Sequence, residues 1–212
     1  MFIIDFDDTL FDTQRYHRAH YQSVADLGIT PEVYWQAYQD TRLDTNGNFI
    51  YNSDRHVAQL EKQGFNGKEI ARRFNILTEK ITDFLFNDTH AFLNEIKGLG
   101  KAMLLLTWGY PEFQRYSKVE PSGITRYFDE ILYTCEPKQN RLLKLFEERK
   151  VDNTWFINDK PEETVKLSGL FPQLRPVLKY SPLFPESDYK NLGLPYFQTL
   201  TEIKEYVLSQ SK

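Results

Sequence analysis

Four groups of polar residues follow short apolar runs that are typical of β-strands. The polar residues are Asp5, Asp7, Asp8 and Thr9 near the start, Thr107, Lys138, and the pair Asn158 and Asp159. Because side chains alternate along an extended strand, Asp5 and Asp7 are expected on the same side. Two close carboxylates resist joint ionisation unless a cation neutralises them. The spacing of this pair therefore predicts a cation site.

A third carboxylate, Asp159, would complete an oxygen-rich environment that suits Mg²⁺. Lys138 supplies a positive charge and Thr107 a hydroxyl group, both suited to phosphate oxygens. A carboxylate nucleophile, a metal ion and a second carboxyl group that moves a proton can divide phosphoryl transfer into two easier steps. The residue types therefore favour covalent phosphoryl transfer.

The elements that must position these residues alternate between strand and helix. The pattern predicts strands at 2–6, 101–107, 130–134, 154–158, 176–180 and 195–198, and helices at 91–97, 111–119, 140–150 and 161–168. A capping box, Thr199 with Glu202, predicts a C-terminal helix. This order is typical of an α/β fold with a parallel sheet and helices on both faces. Ligands bind such sheets at the carboxyl ends of the strands, where the polar groups lie.

The segment between the first two strands has the periodicity of helices alone. We expect a catalytic core at 1–12 and 88–212 and an inserted, all-helical cap at 13–87. Thr30 before Pro31 predicts one helix start, Ser53 predicts another, and Gly64 predicts a helix end. The polar segment 41–52 predicts a loop within the cap.

The four polar groups resemble the four sequence motifs of the haloacid dehalogenase-like hydrolase superfamily, in the same order. Asp5-Phe-Asp7-Asp8-Thr9 resembles the first, Leu-Leu-Thr107-Trp108-Gly the second, Glu-Pro-Lys138 the third, and Phe-Ile-Asn158-Asp159 the fourth. The helical insertion is similar to the family's first type of cap. The resemblance covers essentially the whole chain and implies a Rossmann-like core.

The resemblance implies a role for each matched residue. Asp5 would be the nucleophile that forms an aspartyl-phosphate, and Asp7 the general acid and base. Mg²⁺ would be held by the carboxylates of Asp5 and Asp159 and the backbone carbonyl of Asp7. The phosphate would be bound by Thr107 and Trp108 of the second motif and by Lys138 of the third.

Two features of the motifs refine this expectation. Dehalogenases of the family lack the second aspartate, since a carbon–halogen bond needs no protonated leaving oxygen, so Asp7 argues for phosphate chemistry. Position 158 is usually acidic where the fourth motif carries paired acids, but it is Asn158 here, which predicts weaker Mg²⁺ binding. Glu162 or Glu163 can supply the missing charge from the following helix.

The expected activity is a Mg²⁺-dependent phosphohydrolase that acts on a small phosphorylated metabolite. A phosphomutase of the same superfamily and a non-catalytic relative that binds phosphate or a protein partner remain alternatives. Arg15, His17 and Arg18 are candidates for substrate contact.

Several other residues have simpler interpretations. A surface or packing role is favoured for His17 and His20, and a buried, apolar role for Cys135. The helical spacing of Tyr34, Trp35 and Tyr38 is typical of a packed face.

Composition excludes several other classes of protein. The 212 residues include 26 Lys and Arg against 30 Asp and Glu, a net charge of −4, which argues against a nucleic-acid partner. A single cysteine excludes an intramolecular disulfide. We find no signal-peptide pattern and no apolar run long enough for a membrane span, so we expect a cytoplasmic protein. The oligomeric state is left open.

Overall fold

The core of the molecule is a six-stranded parallel sheet. The computed structural model describes residues 1–149 and 151–210. The strands are β1 (Phe2–Ile4), β2 (Met103–Trp108), β3 (Glu130–Thr134), β4 (Thr154–Asn158), β5 (Leu174–Lys179) and β6 (Tyr196–Phe197). Their order across the sheet is β3-β2-β1-β4-β5-β6, with every pair parallel. The α/β, Rossmann-like fold predicted from the sequence is confirmed.

Helices cover both faces of this sheet. They are α5 (Thr89–Lys97), α6 (Pro111–Phe113), α7 (Lys138–Glu148), α8 (Pro161–Leu170), α9 (Glu186–Lys190) and α10 (Leu200–Ser209). Ile4 in β1 packs in one apolar cluster with residues of α5 and α10, whereas its neighbour Ile3 packs in another with residues of α7 and α8. This division follows from the alternation of side chains along a strand. Both clusters hold the central strand β1 in place.

The insertion after β1 is helical. It contains α1 (Thr13–Gln22), α2 (Pro31–Arg42), α3 (Ser53–Lys62) and α4 (Gly67–Glu79), with short 3₁₀ turns at Ala25–Leu27 and Ile81–Phe84. The insertion has an apolar cluster of its own, which includes Tyr34, Leu60 and Phe74. Tyr16 and Phe84, near its two ends, pack instead with the main core. The division at 12/13 and 87/88 stays a prediction.

The ends of the helices agree largely with the sequence signals. The Thr30 hydroxyl accepts a hydrogen bond from the N–H of Val33 at 3.4 Å, Gly64 has φ 94°, and the capping box of Thr199 is present. The prediction that Ser53 caps α3 was wrong. Asn52 is the cap, because its side-chain oxygen accepts a bond from the N–H of the third helical residue at 2.8 Å.

Several predicted bounds shift by a few residues. β1 ends at Ile4 rather than at residue 6, so Asp5 already lies in the following loop. The helix predicted at 140–150 begins at Lys138 and ends at Glu148, and Lys150 lies outside the described residues. The helix predicted at 111–119 starts as α6 and continues as a π-helix over Gln114–Val119. Across the described ranges, no helix is both long and apolar enough to span a membrane.

Candidate active site

The centre of the candidate site is a buried ion pair between Asp5 and Lys138. Asp5 follows β1, and its N–H donates to the carbonyl of Ile157 in the adjacent strand at 2.9 Å. Lys138 Nζ lies 2.8 Å from Asp5 Oδ1, and the two side chains are 1% and 4% exposed. The same ammonium donates to Asn158 Oδ1 at 2.9 Å and to Glu163 Oε2 at 3.2 Å. All three N–H groups of Lys138 therefore have partners, and the ammonium is fixed beside the expected nucleophile.

Asp159 is the second buried carboxylate of the site. It is 1% exposed, and its Oδ1 has no hydrogen-bond partner among the described residues. Burial and the charge of Asp5 raise the pKa of Asp159 well above its usual range. Burial likewise raises the pKa of Asp5, although Lys138 opposes that rise. Two close carboxylates, one with an unpartnered oxygen, leave room for a further positive charge.

Asp7 faces a different set of side chains from Asp5. Its carboxylate forms an ion pair with Lys118 and accepts hydrogen bonds from Gln114 Nε2 at 2.8 Å and from the Thr13 hydroxyl at 2.7 Å. Burial alone would raise the pKa of Asp7, but Lys118 and these hydrogen bonds lower it overall. Asp7 is therefore held as a carboxylate.

Two of the three groups that hold Asp7, Gln114 and Lys118, come from the π-helix after β2, and the third, Thr13, comes from α1. A π-helical turn is rare and occurs often at functional sites, because it changes which residues face inward. Gln114 and Lys118 are only 6% and 3% exposed. A side chain at Gly109 would collide with the Gln114 amide, so glycine there permits the close approach. The glycine after Trp108 thus contributes to the position of Asp7.

The two remaining residues of the predicted phosphate site differ in their surroundings. Thr107 is fully buried at the end of β2, and its hydroxyl has no hydrogen-bond partner in the described part of the chain. Trp108 instead donates its indole N–H to the carbonyl of Cys135 at 2.9 Å. The ammonium of Lys160 lies 4.8 Å from the centre of the indole ring. Thr107 is free to bind a ligand oxygen, whereas the indole N–H of Trp108 is occupied.

The residues after β4 settle which glutamate faces the site. Glu163 accepts bonds from Lys138 and from Asn158 Nδ2, the latter at 3.0 Å, whereas Glu162 is exposed. Asn158 is fully buried and also donates to the Thr164 hydroxyl at 3.0 Å. Its amide is therefore committed to positioning Lys138 and Glu163.

A divalent cation fits the carboxylates of Asp5 and Asp159. In residues 1–149 and 151–210, no three His, Cys, Asp or Glu side chains converge closely enough to bind a metal. Two carboxylates and a backbone carbonyl do not need such a cluster. The carboxylate of Asp7 is engaged by Lys118, so Asp7 can offer a backbone carbonyl only. The unpartnered oxygen of Asp159 and this hard-oxygen donor set match the preference of Mg²⁺.

A cavity of about 370 Å³ lies between the helical insertion and the sheet. Asp7, Asp159 and Lys160 contribute to its lining from the core. Trp35, Tyr38 and Arg42 contribute from α2. The loop between α2 and α3 closes one side, where the N–H of residue 49 donates to the Cys135 carbonyl at 3.3 Å. Asp7, Asp159 and the insertion therefore line the same cavity.

Sequence reasoning missed several residues that contact the predicted ones. Lys118 and Gln114 are eleven and seven residues beyond Thr107, with no motif of their own, and only the π-helical turn brings them to Asp7. The prediction of a packed face holds for Tyr34, which is 2% exposed, but Trp35 and Tyr38 line the cavity.

The comparisons with known proteins place the chain in a family. A model of the haloacid dehalogenase-like hydrolases matches residues 1–165. The chain therefore belongs to this family of hydrolases, as the motifs and the fold predicted. No curated protein sequence matches it significantly.

Solved structures of the same architecture support the fold. A putative haloacid dehalogenase-like hydrolase from Burkholderia xenovorans is 14% identical, with a TM-score of 0.73 over 96% of this chain and 94% of that one. The putative hydrolase YfnB from Bacillus subtilis, solved with magnesium, is 17% identical, with a TM-score of 0.62 over 97% and 96%. L-2-haloacid dehalogenase from Xanthobacter autotrophicus is 15% identical, with a TM-score of 0.62 over 97% of each chain. At these identities the likeness concerns the fold.

Proposed function

We propose that the protein is a Mg²⁺-dependent phosphohydrolase that cleaves a small phosphomonoester through an aspartyl-phosphate at Asp5. The observation that carries this proposal is the arrangement around Asp5. Lys138 fixes a positive charge 2.8 Å from its carboxylate, and the buried Asp159 and Thr107 each carry an oxygen without a partner in the described residues. The carboxylates of Asp5 and Asp159 suit a metal ion, and the Thr107 hydroxyl suits an oxygen of a phosphoryl group.

In the first step, a carboxylate oxygen of Asp5 attacks phosphorus and the bond between phosphorus and the leaving oxygen breaks. The leaving oxygen takes a proton from the carboxyl group of Asp7. Lys138 and the Thr107 hydroxyl stabilise the negative charge on the non-bridging oxygens. Mg²⁺, bound by Asp5, Asp159 and the Asp7 carbonyl, would orient the phosphoryl group and neutralise part of its charge.

In the second step, a water oxygen attacks phosphorus and the bond to Asp5 breaks. Asp7 accepts the proton of that water, so the free enzyme and inorganic phosphate are restored. The contact with Lys118 favours the carboxylate form of Asp7, which is the form that this step requires. The first step requires the protonated form, and the proton that Asp7 accepts from water in the second step supplies it for the next turnover.

The second aspartate favours a phosphohydrolase over a dehalogenase. Three side chains, Thr13, Gln114 and Lys118, are directed at the carboxylate of Asp7. A carboxyl group fixed by three contacts in this way is expected where it must give a proton to a leaving oxygen and then take one from water. Displacement of a halide has no such need.

Phosphate release from a broad panel of phosphomonoesters tests the proposal. We expect Mg²⁺-dependent release by the wild type and a loss of at least about 1000-fold in Asp5→Asn, because the nucleophile is removed. Asp152→Asn, at an exposed aspartate, is the matched control and should retain full activity. Absence of release from every ester, or equal release by Asp5→Asn, would overturn the proposal. We further propose a cytoplasmic location and a small phosphorylated metabolite as substrate.

A further inference from the structure

Aromatic side chains make up about a third of the residues that line the cavity between the insertion and the sheet. Seven contribute: Trp35, Tyr38, Phe49 and Tyr51 from the insertion, and Trp108, Tyr110 and Phe113 from the core. All but Phe113 are only partly buried, so part of each ring surface remains uncovered. The aromatic content of the chain, 15% of its residues, is thus concentrated in part at one site.

These rings pack in two groups that together form one wall of the cavity. The Phe49 and Trp108 rings lie 4.8 Å apart between centroids, and the Tyr51 ring lies 4.9 Å from Tyr38 and 5.2 Å from Phe113. Each pair is edge-to-face or tilted, which is a favourable arrangement for aromatic contacts. The contacts join rings of the insertion to rings of the core and so support a defined shape for the cavity.

Two cations lie against these rings. The guanidinium of Arg42 lies 5.3 Å from the centre of the Phe49 ring and 5.9 Å from that of Tyr38, and Lys160 lies over Trp108. His17, which also lines the cavity, has its pKa lowered to about 4 by burial and by the charge of Lys118. It is therefore neutral near pH 7. The cavity offers π surfaces and cations to a ligand.

This wall suits some leaving groups better than others. A saturated, non-planar leaving group has no flat face to lay against these rings and covers less of their exposed surface. A flat ring instead stacks on aromatic side chains, and such stacking contributes about 1–3 kcal/mol per ring. The cavity of about 370 Å³ also falls within the range of small-molecule sites.

We propose that the cavity binds a phosphomonoester whose leaving group carries a flat, unsaturated ring. With the phosphoryl group at Asp5, near the Asp159 and Lys160 side chains that line the core end of the cavity, the ring stacks against Tyr38, Phe49 and Trp108. This inference rests on the phosphohydrolase function proposed above and adds the class of substrate to it.

Steady-state kinetics on matched esters test the inference. Benzyl phosphate and cyclohexylmethyl phosphate have similar size and similar leaving oxygens, and they differ in whether the ring is flat. A nucleoside 5′-monophosphate and ribose 5-phosphate form a second pair, in which the ring is remote from the phosphate. We expect kcat/KM to favour the flat-ring member of at least one pair by about 10-fold or more, mainly through KM. The pair with the larger ratio shows whether the ring adjoins the phosphate.

Variants of the wall identify the residues responsible. Phe49→Leu and Tyr38→Leu should reduce the preference for flat rings, because kcat/KM should fall more for the flat-ring esters than for the saturated ones. Tyr116→Leu is the matched control, because Tyr116 is 57% exposed and is not part of the wall, and it should keep the preference. Phe49 lies on a loop, so its variant remains informative if Tyr38→Leu fails to fold.

Two results would overturn the inference and leave the proposed function intact. One is phosphate release with equal kcat/KM for both members of each pair. The other is an equal loss of activity on flat and saturated esters in both wall variants. Absence of release from every ester would instead contradict the phosphohydrolase function, and the inference with it.

Discussion

Glu163 and Asp5 share the ammonium of Lys138, whose Nζ lies 3.2 Å from Glu163 Oε2 and 2.8 Å from Asp5 Oδ1. The lysine therefore lies between two carboxylates, and Asn158 donates to Glu163 as well. Removal of one member leaves each of its neighbours one hydrogen bond short in a largely buried site, and this destabilises the protein more than the loss of an exposed contact does. The relationship makes Glu163 a positioning residue for Lys138.

Paired glutamate variants test this role. Glu163→Ala should lower the free energy of unfolding by about 1–3 kcal/mol, because Lys138 and Asn158 each lose an acceptor. Glu162→Ala, at the exposed neighbour, should change it by less than about 0.5 kcal/mol. Urea unfolding curves measure both changes. Equal stability of the two variants would show that the network around Lys138 does not depend on Glu163.

A double-mutant cycle separates the structural and chemical roles of Asp7. Asp7→Asn leaves the ammonium of Lys118 without a counter-charge, and we expect a loss of roughly 3 kcal/mol in the free energy of unfolding. Adding Lys118→Met should restore most of that stability, because the side chain that remains there is apolar. The single variant Asp7→Asn and the double variant with Lys118→Met should both lack phosphatase activity, since the carboxyl group of Asp7 is absent from each.

The readouts of this cycle are denaturant unfolding and phosphate release under identical conditions. Recovery of activity together with stability in the double variant would contradict a chemical role for Asp7. It would then act only as the partner of Lys118.

The histidines of the insertion predict a loss of stability in mild acid. Burial lowers the pKa of His56 to about 4, while an unfolded histidine titrates near 6.5. Between these values the unfolded chain binds a proton that the folded chain does not, so the free energy of unfolding falls as the pH falls from 6.5 towards 4. The stability linked to His56 is fully present above pH 6.5 and is lost as the pH falls to 4 and below. The total loss in the free energy of unfolding is roughly 3 kcal/mol.

Thermal unfolding of the wild type and of His56→Gln at pH 7 and pH 4.5 measures this contribution. Glutamine does not titrate. The free energy of unfolding of His56→Gln, relative to that of the wild type, should therefore be more favourable at pH 4.5 than at pH 7 by more than about 1 kcal/mol. His90→Gln, at an exposed histidine of the core, is the control for a general effect of the substitution. A difference between wild type and His56→Gln that is the same at both pH values would contradict the prediction.

The sequence predicted the parts of the site that depend on local order along the chain. Asp5, Thr107 and Asp159 each lie at the end of a parallel strand, and parallel strands bring their carboxyl ends to one edge. The six strands and their order along the chain followed for the same reason, since strand periodicity is local, whereas the short helix α9 (Glu186–Lys190) was not predicted. The bounds shifted by a few residues because the last residues of each element are fixed by packing rather than by periodicity.

The parts that depend on helix orientation were not predictable. Glu162 and Glu163 are adjacent and chemically alike, and only the packing of α8 decides that Glu163 reaches Lys138. Tyr34 and Tyr38 have the same helical spacing, yet one packs in the cluster of the insertion and the other lines the cavity. The π-helical turn that directs Lys118 to Asp7 depends on one extra residue in a helix, which has no distinct sequence signal.

The most direct test of the account is a search for phosphate bound covalently to Asp5. The Mg²⁺-loaded protein is mixed with a phosphomonoester that it hydrolyses. The reaction is quenched in acid at a series of short times, and the protein is digested and analysed by mass spectrometry. We expect the peptide with Asp5 to gain the mass of one phosphoryl group in the wild type, and not in Asp5→Asn. A phosphoryl group on another residue, or continued phosphate release with unmodified Asp5 at every time point, would contradict the account.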